Sequence, residues 1–258
     1  MNFSLSFSGF VIMIVCFFLA GIIDAAAGGG GLITLPAFLL VGFPVHMIGG
    51  TNMASTIVGA GTAVIRYARQ KKIFWQTAVF AGILSLFGSY FGARLNIWIP
   101  EKYLQIIMVI ILPLAAVVIF ARKDIGSQNN AEVLTLFQKV MFSIIFGFAM
   151  GIYEGFYGAA AGTFMIFGFV LVNKLDIVTA SGNSRVMALF SSAGTTITFA
   201  LEGLVYWPVV LWVTLGYMTG SWIGSGLALT RGAKFIKPLF IVVLSLLFIR
   251  LIFSLFIK

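Results

Sequence analysis

Apolar residues fill long runs of this chain, and polar ones gather in short clusters between them. The runs do not alternate as strands of a barrel would; Ile106–Phe120 has no period of two. Read as helices, they fall into ten segments. Five lie near 7–27, 31–42, 48–68, 74–98 and 103–121, and five near 134–157, 160–173, 177–200, 204–228 and 235–256. The longest polar stretch, Arg122–Glu132, separates the two sets and contains Gly126-Ser127-Gln128-Asn129-Asn130, a helix stop followed by loop. The organisation expected is a first transmembrane repeat over 1–121, a linker at 122–132 and a second repeat over 133–258.

Ordered matches between the halves support the repeat. Gly21-Ile22-Ile23-Asp24 returns as Gly151-Ile152-Tyr153-Glu154. The run Gly28, Gly29, Gly30, Gly31 returns as Gly158-Ala159-Ala160-Ala161-Gly162, followed by Thr163. Thr51-Asn52 matches Gly182-Asn183 after one inserted residue, and Ile73-Phe74-Trp75 matches Val205-Tyr206-Trp207 after another. Further on, Gly88-Ser89-Tyr90-Phe91-Gly92 meets Gly220-Ser221-Trp222-Ile223-Gly224, and Lys102 meets Lys234.

Composition places these segments in a bilayer. Of 258 residues, 61% are hydrophobic and 9% charged, against about a quarter charged in soluble domains. A soluble enzyme, a disordered chain, a disulfide scaffold and a coiled coil are excluded. The second segment of each half is too short to span. Twelve helical residues reach about 18 Å, against a hydrocarbon core of about 30 Å. Short segments interrupted by glycine or proline at matching positions predict broken or re-entrant helices around a midplane site. The alternative is that these glycines only let helices pack closely. Gly88/Gly92 and Gly220/Gly224 are read as packing pairs, and Trp75 and Trp207 as interfacial anchors.

The net charge of +9 fits basic cytoplasmic loops, with no nucleic acid as partner. Arg66, Arg69, Lys71 and Lys72 lie between the third and fourth segments. The matching stretch, Leu201–Val205, has no basic residue and carries Glu202. Matching loops therefore belong on opposite sides, and the halves are inverted. Arg122, Lys123, Lys139, Lys174, Arg231, Lys234 and Lys237 join the first four inside; Lys102, Arg250 and Lys258 fall outside. Both termini are expected outside, in a multi-pass protein of the cell membrane. Met1–Phe10 has no positive residue and does not read as a signal peptide.

Cys16 is the only cysteine and His46 the only histidine, so neither a disulfide, a metal site nor a cofactor is expected. An intramembrane enzyme would need a nucleophile with a base or a metal, and these residues supply neither. The chemistry rests with the few ionisable residues inside the segments: Asp24, Arg94, Glu154, Arg185 and Arg250. Asp24 and Glu154 stand just before matching breaks. They read either as proton-coupling carboxylates or as acceptors for free amides at a broken helix. Arg185, beside Asn183 and Ser184 and opposite Thr51 and Asn52, reads as an anion site at a helix start. The alternatives are a structural salt bridge to Asp24 or Glu154, and plain capping by the asparagines. Arg94, near a segment end, reads as a snorkelling side chain.

The string Gly21-Ile22-Ile23-Asp24-Ala25-Ala26-Ala27-Gly28-Gly29-Gly30-Gly31-Leu32-Ile33-Thr34-Leu35-Pro36, then Gly50-Thr51-Asn52 and Arg66-Tyr67-Ala68-Arg69, resembles the sulfite exporter TauE/SafE family of membrane permeases. The run Gly151-Ile152-Tyr153-Glu154-Gly155-Phe156-Tyr157-Gly158 resembles the second repeat of that family. Ala159-Ala160-Ala161 and Asn183-Ser184-Arg185 depart from its usual pattern. The resemblance implies secondary active transport of a small sulfur-containing anion, such as sulfite or an organosulfonate, driven by an ion or proton gradient. Transport of another small organic carboxylate, an intramembrane enzyme or a channel subunit is the alternative. The expected partners are the small anion, the lipid bilayer and a second copy in a homo-oligomer.

Overall fold

The computed structural model describes residues 7–98 and 135–239, with 242 and 245. Among them every regular element is helical. The expected segment at 103–121, most of that at 235–256 and the linker lie outside the described residues. The helices are α1 (Phe7–Ala27), α2 (Gly31–Leu40), α3 (Val45–Arg69), α4 (Trp75–Trp98), α5 (Leu136–Phe156), α6 (Ala161–Leu171), α7 (Ile177–Leu201) and α8 (Trp207–Arg231). Helical turns continue over 233–239. The apolar runs thus mark the helices to within about three residues.

Local chemistry sets several ends. Thr135 caps α5 in a reciprocal capping box with Gln138. The Asp176 carboxylate accepts from the amides of Val178 and Thr179, both at 3.1 Å, and starts α7. Gly28 and Gly29 end α1 with φ of 74° and 95°; Gly158 and Ala160 take φ of 73° and 58° after α5. Such backbone suits glycine.

The two short helices fold back on the long ones before them. Phe38 of α2 meets Phe17 of α1, ring centroids 5.5 Å apart. Phe164 and Phe169 of α6 meet Tyr153 and Phe146 of α5 at 5.6 and 5.8 Å. Both short segments are therefore arms of hairpins, and the tips of the two hairpins touch. A Cβ on Gly28 would overlap Gly162 and the Thr163 amide.

Glycine faces give the direction of the other helices. Gly216, Gly220 and Gly224 of α8 lie on the carbonyls of Ile14, Phe18 and Ile22 of α1, so α1 and α8 run parallel. Gly147, Gly151 and Gly155 of α5 lie on Ala81, Ser85 and Ser89 of α4, again parallel. Gly88 and Gly92 return the contact against Phe148 and Ile152. Both small-residue patterns are thus helix-packing faces. At the centre α3 and α7 cross antiparallel: Gly49 faces Phe199, Thr56 meets Ser192 and Gly61 faces Leu189.

Three helices, α1, α4 and α5, are each long and apolar enough to cross a membrane. The 25-residue α3, α7 and α8 are as long, but dilute their apolar character with glycine, serine and threonine turned inward. Arg66, Arg69, Lys71, Lys72, Lys139, Lys174, Arg231, Lys234 and Lys237 gather at one end. The Lys139 ammonium lies 5.3 Å from the centre of the Phe74 ring, and Gly232 is near enough to Val178 that an added Cβ would touch it, which brings those loops together. Arg94 and Glu202 lie at the opposite end, paired at 2.6 Å and each more than a third exposed. Arg94, read as a snorkelling side chain, reaches this partly exposed acid, with its guanidinium also 5.6 Å from the Tyr90 ring. Trp75 and Trp207, half-exposed, open α4 and α8.

Candidate functional site

The hairpin tips meet beside α7, and the buried ionisable groups meet there too. Ending α1 inside an apolar bundle leaves its last carbonyls without intrahelical partners. Three neighbours supply them. The Tyr67 hydroxyl donates to Ala25 O at 3.0 Å, the Ser181 hydroxyl to Ala26 O at 3.1 Å and the Thr163 hydroxyl to Ala27 O at 2.9 Å. At the start of α2 the Gly30 amide donates to Asp24 Oδ1 at 3.0 Å.

The other Asp24 oxygen accepts from two donors, Arg185 Nη1 at 2.5 Å and the Tyr217 hydroxyl at 2.6 Å. Arg185 is 1% exposed, and its Nη2 has no hydrogen-bond partner among the described residues. That nitrogen lies against Gly162, where a Cβ would overlap it, in the first turn of α6. A guanidinium at the positive end of a helix leaves the spot short of negative charge. A planar fork with one prong satisfied and the other bare suits a small oxyanion.

Glu154 is buried in the matching place before the second break, but its environment differs. It accepts from the Ser191 hydroxyl and forms no ion pair among the described residues. By the register of the two halves the counterpart of Arg185 is Met53, whose methyl lies against Gly158. The acids recur in both halves, while the buried cation belongs to one.

The remaining expected residues divide. Gly28, Gly30, Gly158, Gly162 and Thr163 build the meeting of the tips, and Gly31 faces Ala159 with ordinary clearance. Gly29 contributes its positive φ. Asn183 is spent on structure: its Oδ1 accepts from the Phe74 amide at 2.8 Å and its Nδ2 donates to Thr77 at 2.9 Å, at the start of α4. Thr51 does the same for α8, accepting from the Tyr206 amide at 3.0 Å. The equivalence of these two contacts aligns Thr51 with Asn183, which places the second inserted residue ahead of Thr51 rather than after it. Ser184 donates to Ser181 O and accepts from Arg185 Nε, holding the guanidinium stem. Asn52 Oδ1 is buried without a partner among the described residues, as are the hydroxyls of Thr195 and Thr196 on α7.

One expectation is corrected. Arg185 was placed at a helix start, with free amides around it. Asp176 begins α7 nine residues earlier, so the amides near Asn183–Arg185 are inside the helix and already bonded. The helix terminus beside Arg185 belongs to α6. Tyr67, Tyr217 and Ser191 were not anticipated. Tyr217 sits next to Gly216 on the face that packs against α1, and a polar residue on a glycine face was the available sign.

An all-helical bundle of apolar helices, with hairpin tips meeting at a buried arginine, belongs to the class of polytopic membrane transporters. A family model described as sulfite exporter TauE/SafE matches residues 13–251, and the chain belongs to that family. Its relatives include "Probable membrane transporter protein ORF9" of Sinorhizobium sp, 32% identical over 96% of this chain and 94% of the relative. "Probable membrane transporter protein YfcA" of Escherichia coli K12 is 28% identical over 92% and 87%. A "Probable membrane transporter protein" of Haemophilus influenzae is 26% identical over 92% of each. No solved structure matches the chain.

Proposed function

We propose that this protein is a secondary active transporter of a small sulfur-containing anion, sulfite or an organosulfonate, held by Arg185 where the two hairpin tips meet. The observation that carries the reading is the bare Nη2 of a fully buried arginine. A cation so placed is stabilised by any anion that reaches it, because water is excluded and screening is weak. The family description supports the sulfur chemistry. Asp24 and Glu154, acids at matching breaks, are assigned to coupling with a proton or ion gradient. The proposed architecture is ten segments in two inverted repeats, with the basic end cytoplasmic and both termini outside the cell membrane. Antiparallel α3 and α7, parallel pairs α1–α8 and α4–α5, and one-sided basic loops support that arrangement.

The test is binding of sulfite and methanesulfonate to purified protein, with acetate as the carboxylate competitor. A charge-assisted hydrogen bond contributes about 1.5–3 kcal/mol, or roughly ten- to a hundredfold in affinity. Arg185→Ala is expected to weaken binding at least about tenfold, with Arg185→Lys intermediate because it keeps the charge and loses the fork. Unchanged affinity in a folded Arg185→Ala protein would remove the arginine from the site.

A further inference from the structure

The arginine that the proposed anion needs is already held by an acid of the chain. Asp24 Oδ2 takes the Nη1 prong, and the Tyr217 hydroxyl donates to the same oxygen. Around this ion pair of Asp24 and Arg185 stand Tyr217 of α8, Tyr67 of α3 and Glu154 of α5. One cation thus faces two acids. An incoming anion that settled on Nη2 alone would set a second negative charge beside that of Asp24 on one cation, in a place with little screening. With Nη1 on Asp24 and Nε on Ser184, neither of the two forks of the guanidinium is open to an incoming anion.

We infer that Asp24 is an internal stand-in for the transported anion: the ligand displaces its carboxylate from Arg185 and in doing so unfastens the tip of the first hairpin. This rests on the anion reading of Arg185. The link to the tip is direct. The same carboxylate that pairs with Arg185 accepts from the Gly30 amide through its other oxygen, so one side chain joins α7 and α8 to the start of α2. Losing its partners on Oδ2 frees Asp24 to turn, and the α1–α2 break loses its only ion-paired tie among the described residues. Among the described residues the second hairpin has no equivalent fastening, since Glu154 accepts a serine hydroxyl there and no other donor, and Met53 stands where an arginine would be needed. Asp24 is therefore a positioning residue, and ligand binding and tip release are one event.

Competition makes a prediction of unusual sign. Asp24→Asn keeps the size of the side chain and removes the rival charge, so the full-length protein should bind sulfite and methanesulfonate about tenfold or more tightly than the wild type by calorimetry. Affinity equal to or weaker than wild type in folded Asp24→Asn would overturn displacement. Tyr217→Phe provides a second measurement if Asp24→Asn does not fold. Removing a donor that fastens Asp24 should tighten binding several-fold, and weaker binding would mean that Tyr217 donates to the ligand instead. Tip release is read with a thiol at Gly31, where an added Cβ has ordinary clearance of 3.6 Å. In a Cys16→Ser background, Gly31→Cys should label faster when sulfite or methanesulfonate is added; an unchanged or slower rate would overturn the release. Loss of binding in Arg185→Ala with no gain in Asp24→Asn would leave the anion site standing and remove the displacement alone. Wild-type binding in Arg185→Ala would remove both.

Discussion

At the scale of single residues, the tip of the first hairpin depends on hydroxyls that no apolar side chain replaces. Tyr67 is fully buried and donates to Ala25 O. Tyr67→Phe would leave that carbonyl dry and unsatisfied, a loss of about 1–3 kcal/mol, and is expected to lower the thermal unfolding midpoint in detergent. An unchanged midpoint would mean that water replaces the hydroxyl. The acids and the arginine of this region were legible in the amino-acid sequence because a charge inside an apolar run is conspicuous. Tyr67, Tyr217 and Ser191 were not, since tyrosine and serine are common in such runs and only the packing of distant helices shows which ones meet a carboxylate or a free carbonyl. Asn183 was ambiguous for the same reason. Its partners, Phe74 and Thr77, lie more than a hundred positions earlier.

At the scale of helices, glycine spacing decides how closely backbones approach. Gly92 lies on the Ile152 carbonyl, where a methyl group has no room, whereas a methyl added at Gly61 would meet, among the described residues, just a Leu189 methyl at 3.9 Å. Alanine is the better helix former by about 1 kcal/mol. Gly61→Ala should therefore hold or raise stability, while Gly92→Ala should lower it despite the same propensity gain. Equal shifts in the two unfolding midpoints would show that α4 and α5 are free to separate. The breaks after α1 and α5 were readable from the Gly28–Gly31 run and from the shortness of the apolar segments on its far side and at 160–173. That α2 and α6 turn back as hairpin arms was not, because a short apolar segment has the same composition whether it continues a crossing or reverses it. Only contacts such as Phe17–Phe38 distinguish the two.

For the whole molecule, the ends of α3 and α7 point in opposite directions. Cysteines introduced as Lys72→Cys and Leu201→Cys, in a Cys16→Ser background, should label from opposite sides of the membrane; labelling from one side would defeat the inverted arrangement. Loop charge made the opposed directions of α3 and α7 legible in the amino-acid sequence, since the basic residues of the two matching loops differ so sharply. The parallel contact of α1 with α8 was not visible, for nothing local to Phe18 indicates Gly220. That contact also has a consequence for biosynthesis. The glycine face of α8 that receives α1 leaves the ribosome roughly 200 residues after it, a wait of about 10–40 s at ordinary rates of synthesis. For most of that interval the nascent first half holds an aspartate with no arginine, and for all of it a helix with no glycine surface to rest on, so its insertion has to be sheltered by the translocation machinery or by lipid until α8 arrives.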